Sequence, residues 1–161
     1  VSIQAKYITG KYVVFTDNGR ERTDKEGFQW AEQAVALGAG EVLVTSIDRE
    51  GTGSGYDVQL VHPLATTLNV PIIACGGCGS PGDMISVINE GRADAVCASS
   101  IFHYYYLNKQ VNAADFKDEG NIEFIRGRRG QAQFMQDKLA CMSIGEVKKQ
   151  LIAAGIRCRV S

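Results

Sequence analysis

Three times within about sixty residues, an apolar strand runs into a glycine or serine turn. The first strand is Glu41-Val42-Leu43-Val44-Thr45-Ser46, followed by Ile47-Asp48-Arg49-Glu50-Gly51-Thr52. The second is Val70-Pro71-Ile72-Ile73-Ala74-Cys75, followed by Gly76-Gly77-Cys78-Gly79. The third is Ala93-Asp94-Ala95-Val96-Cys97-Ala98, followed by Ser99-Ser100. Strand, turn and helix repeated in this way predict a parallel α/β protein. In parallel sheets, ligands bind at the C-terminal ends of the strands. Small, glycine-rich turns at those ends suit a phosphorylated small molecule, because backbone N–H groups can approach an anion where no Cβ stands in the way.

The totals narrow the class further. A chain of 161 residues suits one domain. A hydrophobic content of 45% argues against disorder. A formal net charge of −1 gives no global reason to expect nucleic acid as a partner. No apolar run reaches the roughly 18 residues of a membrane span, and no signal peptide is visible, so a cytoplasmic location is expected. The chain begins at Val1, inside a strand-like segment, which suggests trimming or a piece of a longer protein. Of the five cysteines, Cys75 and Cys97 sit in apolar strands, which fits a reducing compartment better than a disulfide framework. Cys75-Gly-Gly-Cys78 has metal or redox spacing. No second pair matches it, and His62 and His103 show no register with it, so Cys78 reads as filling a small slot in a glycine loop. No metal and no cofactor are expected.

Along the chain, Val1 to Lys6 reads as a strand. A short hairpin follows from Tyr7 to Thr16, turning at Thr9-Gly10. Asp17-Asn18-Gly19-Arg20 is a turn by composition. Apolar spacing predicts helices over Lys25 to Leu37, Tyr56 to Leu68 with Pro63 inside, Pro81 to Glu90 and Ser143 to Ala154. Gly38 and Gly155 are C-terminal stops. An insert at about 109–141 is long and polar and carries the basic cluster Arg126-Gly127-Arg128-Arg129-Gly130, which reads first as a solvated loop and second as a docking surface.

The count is four β/α units, with all four strands parallel. A closed parallel barrel needs eight. The expected fold is therefore a (β/α)4 half of a (β/α)8 barrel, a single half-barrel domain over residues 1–161. Its two edge strands would be unpaired and apolar, a liability for a monomer, so a homodimer pairing those edges is expected if the half stands alone.

Residues 38–52 with Gly55-Tyr56-Asp57, then Pro71 to Gly77, then Ala98-Ser99-Ser100-Ile101-Phe102-His103, closely resemble the cyclase subunit of imidazole glycerol phosphate synthase. The likeness covers nearly all of residues 1–108 and resumes at 142–160. It implies strands five to eight of a barrel of about 250 residues. In that family, a glutamine amidotransferase subunit releases ammonia, which passes through the barrel to a doubly phosphorylated ribulosyl formimino substrate. Ring closure and cleavage then serve histidine biosynthesis. The resemblance carries a phosphate site onto Glu50, Gly51, Gly76, Gly77, Ser99 and Ser100. It carries an ammonia-gate residue onto Glu41, at the opposite end of its strand.

Catalysis is where the pattern departs. The family uses two aspartates as acid and base, one from each half. Here Gln4 stands at the aspartate position, in Val1-Ser2-Ile3-Gln4-Ala5-Lys6. An amide cannot exchange a proton as a carboxylate does at neutral pH. Gln4 can still orient substrate, and Lys6 matches the family and can meet a phosphate or developing negative charge. Glutamine at position 4 suits a paralogous group that resembles this cyclase and uses amidotransferase-supplied ammonia in surface-sugar biosynthesis. A non-catalytic, self-associating phosphate-binding half-barrel is the other class. The glycines at 76–82 fail the dinucleotide-binding spacing.

Overall fold

The computed structural model describes residues 1–110 and 139–159. Strands β1 (Ser2–Ile8), β2 (Lys11–Thr16) and β3 (Glu21–Glu26) come first. Then helices and strands alternate: α1 (Gly27–Ala36), β4 (Val42–Ser46), α2 (Val58–Thr67), β5 (Ile72–Cys75), α3 (Pro81–Asn89), β6 (Ala95–Cys97) and α4 (Ser100–Gln110). Helix α5 (Ile144–Ala153) closes the described chain. One six-stranded sheet runs in the order β3-β2-β1-β4-β5-β6. Its β1-β4-β5-β6 part is parallel throughout, as the four-unit count predicts. Each parallel strand leads to its own helix, so this part is a (β/α)4 array with half the strands of a closed barrel.

Side chains alternate between the two faces of the sheet. Ile3, Ala5, Val42, Val44, Ile72 and Ala74 all point to one face and are buried. They join Ala31, Leu60, Val61, Leu64, Met84 and Val87 of the helices in one core. The other face carries Gln4, Leu43, Thr45, Ile73, Cys75, Ala95 and Cys97, set by the register of the parallel pairs.

The edge expectation needs correcting. The free side of β1 is not bare, because β2 pairs with it antiparallel from Gln4↔Phe15 to Ile8↔Lys11. The outer edge is β3, whose sequence Glu-Arg-Thr-Asp-Lys-Glu is charged rather than apolar. Charged edge strands discourage association, so the case for a homodimer loses its β1 side. Strand β3 escapes sequence reading because it lacks apolar alternation. It forms by pairing with β2, helped by Thr23, whose hydroxyl donates to the Val14 carbonyl at 2.7 Å. The Tyr7–Thr16 hairpin exists, with β1 continuing unbroken through Ile8 and turning at Thr9 (φ 45°) and Gly10 (φ 90°). Such a pair of left-handed residues matches the twist of a tight two-residue hairpin.

Helix ends follow local chemistry. Ser80 and Asp83 form a reciprocal capping box at the start of α3, with Pro81 as its first residue. Ser143 and Glu146 do the same for α5. Pro63 sits within α2 without ending it. Helix α4 begins directly after β6, where the sequence reading set no helix bounds. The insert reading at about 109–141, with its Arg126–Gly130 cluster, lies almost wholly outside the described residues. Among the described residues, no helix is long and apolar enough to cross a membrane.

Candidate functional site

The three turns stand at one end of the molecule, at the C-terminal ends of three adjacent parallel strands. After β4, the chain tightens at once. The N–H groups of Arg49 and Glu50 both donate to the Ser46 carbonyl, at 3.2 and 3.0 Å, and Thr52 N–H donates to the Arg49 carbonyl. Glu50 and Gly51 are exposed at the crest. Arg49 reaches Ser54 at 3.3 Å and so braces the descending side.

The turn after β5 is packed against the first, backbone to backbone. Gly76 (φ 91°) and Gly77 (φ 101°) both take left-handed conformations that L side chains rarely adopt. A Cβ on Gly76 would lie 2.8 Å from the Ser46 carbonyl oxygen. One on Gly77 would collide with the Gly55 carbonyl and stand 2.9 Å from Arg49 Cβ. Gly55 N–H donates to the Gly77 carbonyl at 2.8 Å, which ties the turns together. Glycine is therefore required here twice over, for conformation and for contact.

The third turn opens α4. The Ser99 carbonyl accepts from the N–H groups of Phe102 and His103, at 3.0 and 2.9 Å, so Ser99 stands at the helix N-terminus, where the backbone dipole favours negative charge. Ser99 is exposed and Ser100 half-buried. Tyr56 links this turn to the first, since its hydroxyl donates to the Cys97 carbonyl at 2.8 Å, bridging from the loop after β4 to the end of β6.

Below the turns, register brings one side chain from each parallel strand into a row: Gln4, Thr45, Cys75 and Cys97. Gln4 is half-buried, and Lys6, two residues on and thus on the same face, is exposed. The turn between β2 and β3 comes down beside Gln4, because a carbon added to Gly19 would lie 3.8 Å from Gln4 Oε1. Glu41 stands at the other end of β4, with its side chain exposed and its carbonyl accepting from the Val1 amino group at 2.9 Å. Among the described residues, no group of three or more His, Cys, Asp or Glu could hold a metal ion.

Sequence reading gave no role to a buried network behind the row. Asp57 is buried, and its carboxylate accepts from Tyr12 Oη at 2.9 Å, Ser46 Oγ at 3.0 Å and Leu60 N–H at 3.2 Å. It caps α2 and at the same time pins β2 to the end of β4. Aspartate directly before an apolar helix is a readable N-cap signal, but nothing local announces Tyr12. Burial, and then the Asp57 hydrogen bond, push the Tyr12 phenol well above its usual range. Burial also raises Tyr56 and pushes the Cys78 thiol up to about 11. The Cys97 thiol is raised by burial and by neighbouring Cys75. Tyr12, Tyr56 and Cys78 are therefore protonated at neutral pH and serve as hydrogen-bond donors.

Residues 1–108 match the family described as "Histidine biosynthesis protein". The chain is 46% identical over 104 residues to the imidazole glycerol phosphate synthase subunit HisF of Dehalococcoides mccartyi, covering 65% of this chain and 41% of that protein. It is 50% identical over 113 residues to the same subunit of Lactiplantibacillus plantarum, covering 70% and 45%. Against the subunit of Chlorobaculum tepidum it is 42% identical over 104 residues. The chain thus spans less than half the length of these relatives. With four parallel β/α units, turns clustered at one sheet end and a family match over two-thirds of its residues, this chain belongs to the histidine biosynthesis protein family, whose fold is the TIM-type barrel.

Proposed function

We propose that this chain supplies the C-terminal half, strands five to eight, of a cyclase barrel like that of imidazole glycerol phosphate synthase. It holds one phosphate end of the ribulosyl formimino substrate on Glu50-Gly51, Gly76-Gly77 and Ser99-Ser100. The observation that carries this reading is the contact of Gly76 and Gly77 with the Ser46–Gly55 turn, beside the start of α4. Such a junction offers unblocked N–H groups and a helix N-terminus to one anion. The experiment is titration of inorganic phosphate while backbone amide resonances are followed. Shifts concentrated at Gly51, Gly76, Gly77 and Ser100 are expected. Shifts scattered over the surface, or none, would remove the phosphate site.

The rest of the family chemistry follows as part of the same proposal. Ammonia enters from a glutamine amidotransferase docked at the sheet end that carries Glu41. It moves along the sheet face that bears the Gln4, Thr45, Cys75 and Cys97 row. Gln4 orients the substrate by amide hydrogen bonds, and Lys6 meets negative charge nearby. The domain is the single half-barrel, with the 109–141 insert attached after α4.

Gln4 itself favours a second reading. An amide where a proton-transferring carboxylate is needed fits the surface-sugar paralogue, in which ammonia is delivered without histidine-pathway ring closure. Completing the barrel with a matching N-terminal half decides between the two. Ammonia-dependent turnover of the ribulosyl formimino substrate, raised by Gln4→Asp, supports the cyclase. Intact binding with flat turnover in both forms supports the paralogue.

A further inference from the structure

The sequence pair Cys75 and Cys78 is not the pair that the fold brings together. Cys78 is buried, and its thiol points at the Ser80 carbonyl, 3.6 Å away. Cys75 instead faces Cys97, its register partner on the adjacent parallel strand. Adjacent strands lie about 4.8 Å apart, within the range of about 4.4–6.8 Å between Cα atoms that a disulfide spans. The two side chains leave the same face of the sheet, side by side at that register. Both residues are half-exposed, so a small reagent can reach them. All five cysteines are free thiols. We propose that Cys75 and Cys97 form a reversible dithiol site, which a low-molecular-weight disulfide closes to an intramolecular bridge joining the ends of β5 and β6.

The exchange balances. One protein thiolate attacks a sulfur of the small disulfide, whose S–S bond breaks and releases one small thiolate. The second protein thiolate then attacks the mixed disulfide and expels the other small thiolate. The two protons lost by the cysteines end on the two small thiols. The protein pair is oxidised by two electrons and the reagent is reduced by two. The phosphate reading plays no part in this step, so either can fail alone.

The test treats the full chain with oxidised glutathione, quenches it with acid and weighs it by mass spectrometry. The expected product is lighter by two hydrogens, carries a Cys75–Cys97 cross-linked peptide and reverts with dithiothreitol. Cys97→Ser should instead retain one glutathione on Cys75, and Cys75→Ser one on Cys97. Cys78→Ser should form the bridge as the parent does. An unchanged parent mass, a stable glutathione adduct on the parent, or a bridge that uses Cys78, Cys141 or Cys158 would overturn the proposal.

Discussion

The loop system at residues 46–80 and the hairpin at residues 11–26 belong to the same sheet, yet they are held differently. Where the loops meet, backbone lies against backbone, glycine against carbonyl, with Gly55 and Gly77 joined by a hydrogen bond. The hairpin is held by its strand pairing to β1 and by two side-chain latches: Tyr12 reaching Asp57, and Thr23 reaching back to Val14. A backbone junction tolerates no added atom, whereas a side-chain latch can be loosened by steps. The first kind makes a rigid junction, and the second a segment whose hold weakens one side chain at a time.

That contrast sets the scale of three substitutions. Gly77→Ala should cost the most, about 3 kcal/mol or more, because it adds a collision to a left-handed backbone. Urea unfolding would read the loss, and a fall below about 1 kcal/mol would show that the junction yields. Tyr12→Phe should cost about 2 kcal/mol, since a charged, buried acceptor loses one of its donors. Hydrogen exchange should quicken in β2 and β3 while β4 and β5 keep their protection. Uniform quickening would mean that Asp57 supports the whole sheet and not the hairpin. Thr23→Val should cost about 1 kcal/mol or less, the net worth of one partly exposed hydrogen bond. Its effect should be confined to β3, and thermal unfolding of the rest should scarcely move.

Legibility divides along the same line. Strands β4 and β5 and their turns were readable because apolar runs end in glycines whose positive φ no other residue supplies cheaply. Helix α3 announced itself through Pro81 at its first turn. By contrast, β3 was hidden, since its order comes from pairing with β2 rather than from its own pattern. The bond from Tyr12 to Asp57 spans 45 residues and has no local trace. The candidate phosphate residues were named from turn chemistry and from resemblance. The Gln4, Thr45, Cys75 and Cys97 row emerged only with the strand register, which no single segment encodes. For the same reason, Cys75 and Cys78 drew notice by spacing while Cys97, its true neighbour, did not.

Because β2 covers β1 only from Gln4 onward, the hairpin acts as a doorstop on that side of the sheet. Another strand sliding in beside Ser2 would halt where Thr16 and Phe15 already occupy the lane. How far along β1 any added strand can pair is therefore set by where this one hairpin folds back.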